Sequence, residues 1–224
     1  MFNGLLLLTG ALFLAEWAAV AGDRKKMRRF TKPAALVALL AWFTQQSLWQ
    51  GWLWWFGLGL VFSLAGDILL LLPGWLFPAG ALAFLLAHAA YVTGLNQNLA
   101  VICWQGGLIL VCVVTAAFVF GRKLLANLQQ AHHSRRLRLL IIAYMTAISL
   151  MLYSALLTPL RPGWPPTAAA LTIAGAIFFF TSDSILAWNK FVRPIRGGHL
   201  LVMMTYHLGQ LGIVSGALLA FGEI

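Results

Sequence analysis

"LWWFGLGLVFSLAGDILLLL", residues 53–72, is a run of twenty apolar or small residues broken by one serine and one aspartate. About 20 predominantly apolar residues are what a helix needs to cross a bilayer. The run is therefore read as a membrane span, and Asp67 as a carboxyl placed inside it. Comparable runs fill the rest of the chain. Of its 224 residues, 62% are hydrophobic and 9% charged, and the mean hydropathy is +0.89. A water-soluble domain cannot hide that much apolar surface. The expected class is all-α: a polytopic membrane protein with eight transmembrane helices, at roughly 2–21, 33–48, 52–72, 75–95, 100–120, 138–158, 167–187 and 199–221. Residues 1–224 are expected to form a single integral membrane domain, since no polar segment is long enough for another.

The breaks between spans have local causes. Pro33 after "RRFTK" suits a helix start. "QQSLWQG" at 45–51 and "LNQN" at 95–98 are polar turns, and "LPGWLFPAG" at 72–80 is a Pro/Gly turn. "RPGWPP" at 161–166 cannot continue a helix. "RPIRGG" at 193–198 closes the seventh connection.

The net charge of +10 is distributed as topology rather than as a nucleic-acid patch. Of the 15 Lys and Arg, all but Arg161 fall within 24–32, 122–138 and 190–196. With the N-terminus outside, these clusters follow spans one, five and seven and all lie inside, as the positive-inside rule requires. Trp49, Trp52, Trp54 and Trp55 gather at an outer connection, like an interfacial belt. "AVA" at 19–21 resembles a cleavage site, but no basic region precedes the apolar stretch and "DRKKMRR" follows it at once. The first segment is read as an uncleaved span. Both termini are then expected outside the cytoplasm of a bacterial inner membrane, with membrane lipids as surroundings and no nucleic-acid partner. Cys103 and Cys112, nine apart on one expected helix, face opposite ways and are read as small buried residues.

Five acids exist: Glu16, Asp23, Asp67, Asp183 and Glu223. Asp23 and Glu223 fall at membrane edges, and Glu16 lies close enough to the basic loop to pair with it. Asp67 and Asp183 are different. Each sits about five residues before the inner end of its span, spans three and seven run in the same direction, and each is followed by a helix carrying a histidine, His88 or His207. This weak internal repeat reads as two parallel four-helix halves. An ionised Asp near a span centre costs ~2.5–3.5 kcal/mol, so two at matching depth point to one shared polar pocket. Two carboxyls in such a pocket divide into one that keeps its proton and one that ionises, which supplies an acid and a base. His88, Tyr91, Tyr206, His207 and Gln210 are the other polar candidates within spans. Tyr206 and Gln210, four apart, share a helix face; His207 is turned away from it. No His-x-x-x-His spacing, nucleophile elbow or phosphate loop is present.

"FTKPAALVALL" (30–40), "SLAGDILLLL" (63–72), "FLLAHAAYV" (84–92), "YMTAISLMLYSAL" (144–156), "TSDSILAWNKF" (181–191) and "TYHLGQLGI" (205–213) occur in this order. Together they resemble the lysoplasmalogenase family, also called the YhhN family, over nearly the whole chain. The resemblance implies an eight-span enzyme that hydrolyses the vinyl-ether bond of a lysophospholipid substrate, without a metal or organic cofactor. The products are a fatty aldehyde and glycerophospho-ethanolamine or -choline. It places the catalytic carboxyls at Asp67 and Asp183. It places polar site residues at Lys32, His88, Tyr144, Asn189, Lys190, Tyr206 and Gln210, with Lys32 and Lys190 suited to the lipid phosphate. A proton-coupled transporter or lipid flippase is the competing class, because intramembrane carboxylates also serve proton coupling.

Overall fold

The computed structural model describes residues 3–97, 103–131 and 134–222. They form eight α-helices: α1 (Gly4–Ala21), α2 (Lys25–Ser47), α3 (Leu53–Leu71), α4 (Phe77–Leu95), α5 (Trp104–Gln130), α6 (Arg135–Leu156), α7 (Pro166–Phe191) and α8 (Gly198–Phe221). No strand occurs among the described residues. The first residues of the expected fifth span, the Asn98 end of the turn before it, His132, His133 and Glu223 lie outside the described residues.

Seven of the helices are long and apolar enough to cross a membrane, and the chain is an integral membrane protein. All eight expected helices are present, and the second differs from its expected span at its start. This helix starts at Lys25, not at Pro33, and its first turns carry Lys25, Lys26, Arg28, Arg29 and Lys32. Pro33 lies inside it. At the ninth position of the helix the proline removes the N–H that would have bonded the carbonyl of Arg29. The polar first turns still have work within the bundle, because Arg28 and Lys32 reach carboxylates on neighbouring helices. α5 and α7 likewise continue past their expected ends at 120 and 187, to Gln130 and Phe191. Nothing in those segments breaks a helix, and their basic side chains lie back over aromatic rings: Lys123 Nζ is 4.9 Å from the Trp188 ring centroid and Lys190 Nζ 4.2 Å from that of Phe77.

The core of the bundle is mostly apolar, yet it also encloses polar and charged side chains, and apolar ones cover much of its outside. Glu16, Lys32, Asp67, His88, Asp183, His207 and Gln210 are all buried, whereas Leu7, Leu14, Val111, Phe118 and Val119 stand out from its surface. A bilayer accounts for so much exposed apolar surface. α5 is the least enclosed helix, packed on α6 and α7 only at its side. The two cysteines, read from the sequence as small buried residues, are accordingly not buried: Cys103 is partly exposed just before α5 and Cys112 is exposed on it.

α1 pairs with α2, α3 with α4 and α7 with α8; α8 also meets α1, α2 and α3, and α6 packs on α4. The halves thus pair their helices in the same order but meet one another unequally. The α7–α8 pair is the closest, because glycines let the two backbones touch. A Cβ on Gly212 would lie 2.7 Å from Gly175 Cα and 3.0 Å from its amide nitrogen. Backbone cannot step aside as a side-chain tip can, so Gly212→Ala is expected to cost about 1–3 kcal/mol. Thermal unfolding in detergent checks this, with Gly107→Ala, which has open space around it, as the variant that leaves the midpoint unchanged or raises it.

Arg161, the lone basic residue outside the three clusters, has a structural role. It is buried and its guanidinium donates to the Leu95 carbonyl and, at 2.6 Å, to Asn96 Oδ1. It caps the C-terminus of α4, where a cation and a donor are both favourable.

Candidate active site at the basic end of the bundle

Asp67 lies four residues before the end of α3 and Asp183 eight before the end of α7. Despite that difference they line one vestibule, which opens among α2, α3, α7 and α8. Its mouth carries Lys25, Arg28, Arg29, Lys190 and His199; Lys32, Ser182, Asn189 and Tyr206 line it as well. A second, almost wholly apolar cavity runs between α4, α5, α6 and α7, lined by residues such as Phe77, Ala81, Phe120, Ile141, Met145 and Phe180. Asp183 and Lys190 belong to both walls. The acidic side chain therefore stands where a basic chamber meets an oily one.

The two carboxyls keep different company. Asp67 Oδ1 is 2.9 Å from Lys32 Nζ, and Oδ2 accepts the Tyr206 hydroxyl at 2.9 Å. Both partners of this ion pair are buried. Asp183 has no ammonium or guanidinium in contact among the described residues. Its Oδ2 accepts the Tyr144 hydroxyl at 2.5 Å and lies 3.4 Å from His88 Nε2. Phe84, Phe179 and Tyr206, whose hydroxyl reaches Asp67, pack edge-to-face on one another.

The other expected site residues separate into two layers. Lys32, Asn189, Lys190 and Tyr206 reach the vestibule, and Tyr144 reaches the apolar cavity. Asn189 is also tied down, its Oδ1 accepting from the Ile195 amide at 2.8 Å. His88, Tyr91 and Gln210 line neither cavity. Tyr91 donates to Gln210 Oε1, and Gln210 Nε2 donates to Ser63 Oγ at 2.8 Å. That chain ties α3, α4 and α8 together one turn deeper than Asp67. His207 stands apart, stacked on Phe13 at 4.1 Å and accepting from Trp17 Nε1 at 3.0 Å. Glu16 is held by Arg28 at 3.1 Å and by Thr31, a clasp between α1 and α2.

Residues that sequence reading missed are Ser63, Ser182, His199 and the vestibule lining by Lys25, Arg28 and Arg29. Ser63 had a signal, being four before Asp67 and so on its face. For the basic residues, topology alone is a sufficient reading of the sequence.

The order of motifs matches what comparison with known proteins finds. The model of the YhhN family matches residues 27–217. The human lysoplasmalogenase TMEM86B is 33% identical over 159 residues, covering 71% of this chain and 61% of that protein. Its counterpart in Sus scrofa is 32% identical over 151 residues, covering 67% and 58%. A lysoplasmalogenase of Mycobacterium tuberculosis is 28% identical over 164 residues, covering 72% and 59%. The chain spans about three fifths of the length of the curated relatives it matches. No solved structure matches it significantly. With a family model that takes in all of α3 to α7 and most of α2 and α8, both carboxyls included, the chain belongs to the YhhN family.

Proposed function

We propose that the protein is a lysoplasmalogen hydrolase, cleaving the vinyl-ether bond to a fatty aldehyde and a glycerophospho-ethanolamine or -choline. The observation that carries this reading is the pairing of two buried carboxyls, one with an ammonium and one without, at the junction of a basic and an apolar chamber. Such a junction suits a single-chain lipid, with its chain in the apolar cavity and its phosphate beside Lys32 and Lys190. The names of the relatives point the same way.

Asp183 acts as the acid and Asp67 as the base. Asp183 gives its proton to the β-carbon of the vinyl ether, leaving an oxocarbenium ion at the carbon bonded to oxygen. Water adds to that carbon and gives a proton to the Asp67 carboxylate, whose charge also stabilises the cation. The product is a hemiacetal. As it collapses, its hydroxyl proton returns to Asp183 and the departing glycerol oxygen takes the proton from Asp67. One water is consumed and both carboxyls are restored. Tyr144 and Tyr206 each donate to the carboxyl beside them, Asn189 lines the headgroup chamber, and Tyr91 and Gln210 hold the helices behind it.

The basic end faces the cytoplasm of a bacterial inner membrane, with both termini on the other side. Cysteines introduced as Gln130→Cys and Gly163→Cys, with Cys103 and Cys112 replaced by serine, are expected to label from opposite faces. Labelling from one face overturns this orientation.

The function is tested by a lipid-class screen of the purified protein in detergent. Aldehyde release from 1-alkenyl lysophospholipids, with saturated-ether and ester analogues left intact, is the expected result. A transporter gives no aldehyde, and equal hydrolysis of the three classes shows that the vinyl group is not what the site recognises.

A further inference from the structure

His88 is wholly buried and lines neither chamber, yet its ring faces the carboxyl that lines both. Its Nδ1 is 2.6 Å from the Phe84 carbonyl oxygen. A carbonyl can only accept, so Nδ1 carries a hydrogen. In the neutral ring Nε2 then holds a lone pair. That nitrogen has no hydrogen-bond partner and lies 3.4 Å from Asp183 Oδ2. A lone pair facing a carboxylate oxygen in a buried site is repulsive, and a proton on the line between them turns the repulsion into a bond. The Tyr144 hydroxyl already donates to the same oxygen from α6. Phe179, with ring centroid 4.8 Å away, and Tyr144, at 5.2 Å, hold the imidazole from two sides.

We infer that His88 and Asp183 hold one proton in common, between Nε2 and Oδ2, and that His88 is the positioning residue for the acid of the proposed hydrolysis rather than a group that touches lipid. The catalytic part of this inference rests on the hydrolase reading; the shared proton does not. The proton that leaves Oδ2 for the substrate carbon is replaced at the same oxygen by the hemiacetal hydroxyl proton, so His88 neither gains nor loses one over a turnover. Where the resting pair is imidazolium and carboxylate, the proton moves from Nε2 to Oδ2 before transfer to carbon. His207, the matching histidine of α8, is built the other way round. Its Nδ1 accepts from Trp17 and its ring stacks on Phe13, away from either carboxyl.

Nitrogen NMR of protein labelled at histidine, in detergent and without substrate, reads the shared proton directly. The His88 signals are identified by their loss in His88→Gln. Nδ1 is expected to be protonated, and Nε2 to show a hydrogen bond or a proton that changes in Asp183→Ala. A neutral ring with its proton on Nε2, or signals indifferent to Asp183→Ala, overturns the inference. Kinetics supply the second readout. His88→Phe is expected to lower kcat about 10²-fold with KM within about two-fold, and His88→Gln, whose amide oxygen can accept, to recover part of it. A raised KM with kcat retained places His88 against substrate and overturns the positioning role. Absence of turnover in the unaltered protein sinks the hydrolase reading and leaves the NMR result to decide the shared proton.

Discussion

Asp183→Asn is expected to abolish vinyl-ether cleavage, with a loss of at least about 10²–10⁴-fold, the range associated with a positioned acid or base. The asparagine keeps the shape of the side chain and can still accept from Tyr144, but it has no acidic proton to give to carbon. Asp67→Asn is expected to do equal damage by removing the base. It also leaves the Lys32 ammonium without its anion, so Asp183→Asn is the cleaner test of chemistry. The double variant should be little worse than either single one, because the two groups act as a unit. Proton transfer to carbon should slow turnover in deuterated water. Oxygen from labelled water should appear in the aldehyde, measured before exchange, and not in the glycerol product. Label in the glycerol oxygen, or substantial activity in Asp183→Asn, rules the scheme out.

Lys32→Met should cost both stability and activity. Lys32 and Asp67 are buried with side chains 8% and 2% exposed, and taking away one member of a buried ion pair leaves a desolvated charge, worth about 3–5 kcal/mol. The carboxylate also loses the contact that readies it as a base, so activity should fall together with the thermal midpoint. The decisive comparison is with the double variant Lys32→Met, Asp67→Asn. It removes both charges and is expected to regain much of the lost stability while remaining inactive. Such a cycle separates the coupling of the pair from the cost of either change. Equal stability of Lys32→Met and the unaltered protein would show that the charge of Asp67 does not depend on Lys32.

Neither residue announces this pairing in the chain. Lys32 reads as the last of a run of basic residues that tell inside from outside, and Asp67 as a carboxyl alone in an apolar helix. They meet because α2 begins eight residues earlier than Pro33 indicates and carries its basic turns into the bundle beside α3. His88 and His207 show the same limit. They occupy matching places in the two halves, yet one faces Asp183 and the other packs on Phe13 and Trp17. Periodicity puts a residue on a face of its own helix and says nothing of which neighbour that face meets.

The helical class, the membrane environment, the helix order and the two acidic positions were all determined by the sequence itself. The physical reason is that a bilayer penalises each polar group locally, so a span and its exceptions are visible from composition within about 20 residues. What only the tertiary structure decided is the partner of each exception: Lys32 for Asp67, Tyr144 and His88 for Asp183, and Arg161 for the end of α4. These contacts join helices far apart in the chain, and helix rotation and start point set them to within a single turn. The same packing puts an oily cavity against a basic vestibule with Asp183 between them, an arrangement that belongs to the space between helices and is written in none of them singly.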